Sequence, residues 1–492
     1  WAAFVTSGDV TNPLVSTADA AEPTLQGMID QANAGDTIKL SSNTEVHATL
    51  QITKNLTLDL NGYVLKMTGS GSVLRVSDRA TLTITDSRPQ NPHTGSYAGL
   101  PAGGVITGGK ADKGGGILLA GGCTLKLTGG CITDCHATDT GGGGVVLNGD
   151  TAILYMSGTA RIENCTAGET WGANAIFNSG TMYADGGTVD GTVNNQGTIK
   201  HSEGAVDVTV FNGAVYNQQA GTIEAGMYNG TVENNGTISG GTFCGGVTIR
   251  KGSWVWERTG SISGGTFHSE QWAVVNCGNS NLSMDKGELT ISGGSFSGTN
   301  GSVGRTTDAA APQITGGTFS SDVSAFAGDG YVCVKQEDGM YAVTGLTADN
   351  AVAAIGETYY QSLAAAIDKV QAGETITLLR DVPNANGIAV PSEKSFTVDF
   401  NGHTYTLTGP GAGSSSTETN GFQLLKDSTI TFQNGTIRIG QNANNIKRII
   451  QNYADLTLED MQIYAEHQVG GEDYALSFNN GTIVIKGNTS IY

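Results

Sequence analysis

Proline is scarce in this chain, with nine in 492 residues, and only 14% of the residues carry charge. So little proline beside 73 glycines excludes a collagen-type triplet repeat, which needs both in strict period. The low charge excludes a highly charged disordered tail and is too sparse for a surface built of helices. No run of 18 apolar residues occurs, so nothing reads as a membrane-spanning helix. Basic runs are lacking too: 25 Lys and Arg stand against 45 Asp and Glu, a net charge of −20. Nucleic acid and anionic membrane surfaces are therefore poor partners. The seven cysteines form no zinc pattern, and an odd number cannot all pair as disulfides.

What is present is glycine, much of it in one repeated phrase. Gly240-Gly241-Thr242-Phe243 returns as Gly264-Gly265-Thr266-Phe267, Gly293-Gly294-Ser295-Phe296 and Gly316-Gly317-Thr318-Phe319, at spacings of 24, 29 and 23 residues. An Ile and a Ser or Thr precede each copy. A fixed turn phrase at this period is the signature of a solenoid that stacks coils of short strands. Gly115-Gly116-Ile117 and Gly143-Gly144-Val145 recur at 28 residues. Asn178, Asn194, Asn217 and Asn234 sit in glycine-bounded turns, where stacked amides can form a hydrogen-bonded ladder. Cys135 and Cys165 occupy matching places in successive repeats, which puts them about 4.8 Å apart. A ladder of small buried side chains accounts for them better than a disulfide.

A larger repeat lies over the small one. Leu25, Met28, Ile29 and Ala32 follow helical spacing, Gly35 stops the helix, and a strand begins at Thr37. The same opening returns at Leu363-Ala364-Ala365-Ala366-Ile367-Asp368 and Gly373-Glu374-Thr375-Ile376, shifted by 338 residues. Val398-Asp399-Phe400-Asn401-Gly402 repeats residues 58–62. The expectation is an all-β chain of two tandem β-helix units, residues 1–344 and 345–492, each opened by a short capping α-helix. The helix covers backbone groups and apolar surface that a first coil would otherwise expose. The chain opens on Trp1 rather than Met and ends in a strand-like run, so a longer polypeptide with a processed start and a truncated second unit is expected.

Three motifs carry a family resemblance: the Gly-Gly-Thr-Phe phrase; the run from Gly316 through Asp329-Gly330-Tyr331-Val332 to Gly339-Met340-Tyr341-Ala342-Val343; and Ile355-Gly356-Glu357-Thr358-Tyr359-Tyr360-Gln361-Ser362-Leu363 with the helix that follows. They resemble the repeat-rich extracellular proteins of Gram-positive anaerobic bacteria built on the pectin-lyase-like right-handed parallel β-helix. That resemblance implies secretion, anchoring at a cell wall and a binding or adhesive role; the expectation is a monomer that binds a glycan or a host extracellular protein, such as an immunoglobulin or mucin.

The same fold carries polysaccharide lyases and glycoside hydrolases, so fold alone does not decide activity. The Asp-Asp pair, Gly-His-Gly and Arg-x-Lys of polygalacturonase-like enzymes are absent. No phosphate loop, EF-hand loop or His-Glu-x-x-His occurs. Asp134, Asp139 and Asp150, with His136 and Arg161 nearby, are candidates for a hard cation such as Ca2+; the other reading is solvated turns. No other cofactor is indicated. The binding candidate is aromatic. Trp254 and Trp256 fall on one face of a strand, Trp272 follows, and Glu257, Arg258 and His268 lie close in sequence. Flat aromatic faces beside polar groups grip sugars or form interface hot spots, and they also pack in cores.

Overall fold

The computed structural model describes residues 4–6, 24–139, 141–168, 173–250, 259–277, 288–307, 309–413, 418–441, 443, 445–465, 474–478 and 481–492. The chain is a β-solenoid that divides into two compact units. The first comprises Trp1–Ala327 and Cys333–Val343; the second, Gly328–Val332 and Thr344–Tyr492.

In the first unit each coil lays one strand on each of three faces. The first face runs from Thr37–Lys39 through Leu56–Asp59, Thr81–Thr85 and Thr124–Leu127 toward Gln313–Ile314. The second runs from Thr44–Val46 to Thr318–Phe319. The third is an 11-stranded parallel sheet from Leu50–Ile52 to Gly301–Arg305. Two strands, Ile153–Glu163 and Thr181–Asp190, run unbroken across the first two faces. Two end strands gain an antiparallel partner: Phe4–Thr6 runs against Thr37–Lys39, and Tyr341–Gly345 against Thr318–Phe319. Such pairing covers those two edges, which would otherwise invite association.

The Gly-Gly-Thr-Phe phrase now has a physical reading for every residue. A Cβ on the first glycine would sit 2.1–2.4 Å from a carbonyl oxygen of the preceding coil, Glu224, Ser239, Ser263 or Ser292 in turn. The second glycine has φ of +98° to +110°, open to glycine and costly for other residues. The Thr or Ser faces outward. The Phe faces inward and stacks on its counterpart in the next coil. The stack holds six rings, not four: Phe211, Tyr228, Phe243, Phe267, Phe296 and Phe319, with centroids 4.5–4.9 Å apart and planes tilted by only 5–9°. Tyr228 joins a dry column because its hydroxyl donates to Ala225 O at 2.7 Å, and burial pushes the phenol pKa well up.

The expected amide ladder forms with one correction. Its rungs are Asn178, Asn195, Asn217 and Asn234, all buried, each Nδ2 donating to the next Oδ1 at 2.7 Å. Asn194 is not a rung. It stands one residue away, and successive strand residues point to opposite sides. Leu147 and Ile249 hold the same register position beyond the two ends. Cys135 and Cys165 are buried free thiols on adjacent coils, Thr166 N donating to Cys135 O at 2.9 Å. Hydrogen bonding to Cys165 and burial push the Cys135 thiol up.

The second unit repeats the opening of the first in its capping chemistry. Helix α1 is Leu25–Gln31 and helix α2 is Leu363–Lys369. Thr24 Oγ1 accepts Gly27 N at 3.1 Å, and Ser362 Oγ accepts Ala365 N at 3.1 Å. Lys54 Nζ donates to the last carbonyls of α1, Asp30 O and Ala32 O, and Lys394 Nζ does the same for Asp368 O and Val370 O after α2. Such a cation satisfies orphan carbonyls and suits the negative helix end. Asn61-Gly62 and Asn401-Gly402 both turn with two positive φ values, the type I′ geometry. The second core differs: Phe400, Phe422 and Phe432 meet edge-on, at 81° and 63°.

Two contrasts test this account. Gly264→Ala, whose methyl would meet Ser239 O at 2.3 Å, should destabilise the first unit by about 3–5 kcal/mol. Gly35→Ala, at φ +93° with nothing within 4 Å, should cost about 1–2 kcal/mol. Asn195→Ala strands two buried amides and should cost about 1–3 kcal/mol, whereas Asn194, whose Oδ1 already lacks a partner, should tolerate Ala. Thermal and urea unfolding followed by circular dichroism measure all four.

Candidate functional site

The carboxylates proposed for a cation occupy three different corners of one coil. Asp134 holds a left-handed turn at φ +50° after Cys131–Thr133. Asp139 follows His136–Ala137, its N–H donating to Asp112 O, and Asp150 follows Val145–Asn148. All three are exposed, and a strand intervenes between each corner and the next. They do not converge, and among the described residues no group of three or more His, Cys, Asp or Glu side chains is placed to hold a metal ion. The sequence proximity misled because a coil spends its residues travelling round the perimeter.

Trp254, Trp256, Glu257 and Arg258 lie outside the described residues. Trp272 and His268 are described, and both are exposed. Trp272 opens the strand Trp272–Cys277, in register with Gly301 on the next coil. Its indole lies along that neighbouring strand. A Cβ at Gly301 would fall 2.4 Å from the six-membered ring, and one at Gly304 would fall 2.8 Å from it. Two glycines therefore make a floor on which the ring lies down, and the side chain keeps 38% exposure. Beside it, Asn300 Nδ2 donates to Gln271 Oε1 at 2.7 Å. His268 stands on the preceding strand, Thr266–Ser269, facing outward in register with Ser297. The arrangement is a flat aromatic surface with amide donors and acceptors at its edge, on a rigid strand rather than a mobile loop.

A second feature had no signal in the sequence. A groove of about 760 Å³ runs along the corner between the first and second faces. One wall is the excursion over residues 87–104 and the other is residues 206–208. The first wall is pinned from inside: Asp86 carboxylate oxygens accept Gly62 N, Arg88 N and Gly104 N, and Arg161 Nη2 donates to Ala102 O at 3.0 Å. The floor is Gly158–Arg161 and Gly186–Thr188, where the two long strands bulge and bend. The second wall offers Val206, 92% exposed, and Val208, 37% exposed. Two carboxylates line the groove, Asp86 beside the first wall and Asp207 on the second, and the Asp86 oxygens already accept three backbone N–H groups.

No protein-family model matches the chain, and no curated protein matches it. No helix among the described residues is long and apolar enough to cross a membrane.

Gly304→Ala tests the platform by geometry alone. The added methyl cannot coexist with the indole where it lies, so near-ultraviolet circular dichroism from Trp272 should change while the far-ultraviolet spectrum does not. Gly298→Ala, also close-packed but against backbone of residues 271–273 and 301, should instead lower the unfolding temperature.

Proposed function

We propose that this chain is a non-catalytic binding protein: an extracellular β-solenoid, secreted or attached to a cell wall, that recognises a glycan through its lateral surface. The observation that carries this reading is the Trp272 indole laid flat on Gly301 and Gly304 beside the Gln271–Asn300 amide pair. A sugar ring has an apolar face and a hydroxyl rim, and a flat aromatic with amides at its edge matches both. Because the indole rests on backbone, binding freezes little side-chain freedom. Stacked coils make an extended rigid face, which suits a polymeric ligand. The resemblance of the repeat phrases to those of bacterial surface proteins supports the extracellular setting.

A second reading, an extracellular protein ligand, draws on Val206 and Val208. Exposed aliphatic side chains beside a groove are typical of protein contact surfaces.

An array of glycans and extracellular proteins, probed with the wild-type chain and Trp272→Ala, tests both. Glycan binding that falls by roughly tenfold or more in Trp272→Ala supports the first reading. Protein binding lost in Val206→Asp but kept in Trp272→Ala supports the second. Release of unsaturated or reducing ends from acidic polysaccharides would overturn the non-catalytic assignment.

A further inference from the structure

On the first face of the solenoid, four outward residues stand in one register column: Lys126, Tyr155, Tyr183 and Lys200. Beyond these four the column carries Glu224 next to Lys200 and otherwise small hydroxyl residues, such as Thr83 before it and Ser263 and Ser292 beyond it. The two tyrosine rings stack with centroids 4.4 Å apart and planes 3° from parallel. Lys126 Nζ lies 5.8 Å from the centroid of the Tyr155 ring and Lys200 Nζ 5.1 Å from that of Tyr183. Every ring face is thereby occupied, by the other ring or by an ammonium. The column cannot stack a sugar as Trp272 can. It presents edges: an ammonium, two phenol hydroxyls and a second ammonium, in line along the solenoid axis.

All four groups donate hydrogen bonds. Burial and the Tyr183 hydroxyl raise the Tyr155 pKa, so its phenol stays protonated at neutral pH. The ammoniums stand three strand spacings apart, about 14 Å. In a chain of net charge −20 the column sets two ammoniums in line, with the Glu224 carboxylate one coil beyond Lys200. It also lies where the solenoid carries its groove: the floor segments Gly158–Arg161 and Gly186–Thr188 continue the strands that hold Tyr155 and Tyr183. Two carboxylates lie close to the column. Asp185, two residues past Tyr183, accepts Ser202 N at 2.9 Å and Ser202 Oγ at 2.5 Å, with His201 Nδ1 at 3.4 Å. Glu224 follows Lys200 one coil on, and Arg161 and Asp207 belong to the groove.

We infer that this column is a second binding site, for the acidic groups of an extended anionic glycan lying along the solenoid axis. The ammoniums take carboxylate or sulfate groups and the phenols take the neutral oxygens between them. The cation–π contacts hold each ammonium in place before the ligand arrives, which lowers the ordering cost of binding. The inference shares the glycan reading proposed above but uses different residues.

Isothermal titration with oligogalacturonate, a neutral xylo-oligosaccharide and a polyglutamate peptide tests it. The probes are run on the wild type, Trp272→Ala, Lys126→Gln/Lys200→Gln and Lys126→Arg/Lys200→Arg. Expected is oligogalacturonate binding that weakens with salt, falls on the order of tenfold in the double Gln variant, persists in the double Arg variant and survives Trp272→Ala. These positions are on the surface, and an unchanged melting temperature confirms that each variant is folded. The inference is overturned if oligogalacturonate does not bind, if the double Gln variant binds as the wild type does, or if the neutral sugar binds equally well. Polyglutamate bound as tightly, and lost in the double Gln variant, would overturn the glycan assignment. If Trp272→Ala alone abolishes oligogalacturonate binding, the column is not the site, and the glycan reading stands on Trp272.

Discussion

The ladder of parallel hydrogen bonds between successive coils is the constraint on which everything else depends. It sets each residue one strand spacing from its counterpart in the next coil, so every inward side chain must pack against its own kind or a close substitute. Phenylalanine meets this demand by stacking nearly plane on plane, at 4.5–4.9 Å. Asparagine meets it by donating forward and accepting from behind at 2.7 Å. Glycine meets it where a carbonyl oxygen of one coil comes within 2.1–2.4 Å of where a Cβ would be.

Periodic features were legible in the sequence because periodicity is what the ladder imposes. The Gly-Gly-Thr-Phe phrase, the helix spacing at Leu25, Met28 and Ile29, and its return at Leu363 all marked real elements. Where a rung keeps its geometry but changes its residue, the signal fades. Ala225-Gly226-Met227-Tyr228 fills the same place as Gly-Gly-Thr-Phe with only one glycine in common, and Phe211 has no phrase at all. Parity is a second limit. Asn194 and Asn195 are neighbours in sequence but on opposite sides of the strand, and only the register shows which one enters the ladder.

The candidate sites were legible in the opposite measure. Trp272 could be named as a candidate, but the glycine floor beneath it comes from a coil almost thirty residues on. The tyrosines and lysines of the charged column lie far apart in the chain at unequal intervals, and only pairing brings them into line. The groove owes its walls to two excursions that leave the repeat, so periodicity gives no hint of it. Asp134, Asp139 and Asp150 show the reverse error: closeness in sequence means little where the chain turns a corner every few residues.

The amide ladder has a consequence for how such a molecule changes length. Each asparagine rung has the same acceptor on one side and the same donor on the other. A coil removed or duplicated whole leaves the joint chemically identical to what was there before. A fraction of a coil would turn rungs on one side of the joint outward and leave the inward amide facing them without its partner. The gene can therefore lengthen or shorten this stretch in steps of one coil, and the distance between surface features along the axis becomes a heritable quantity counted in whole units.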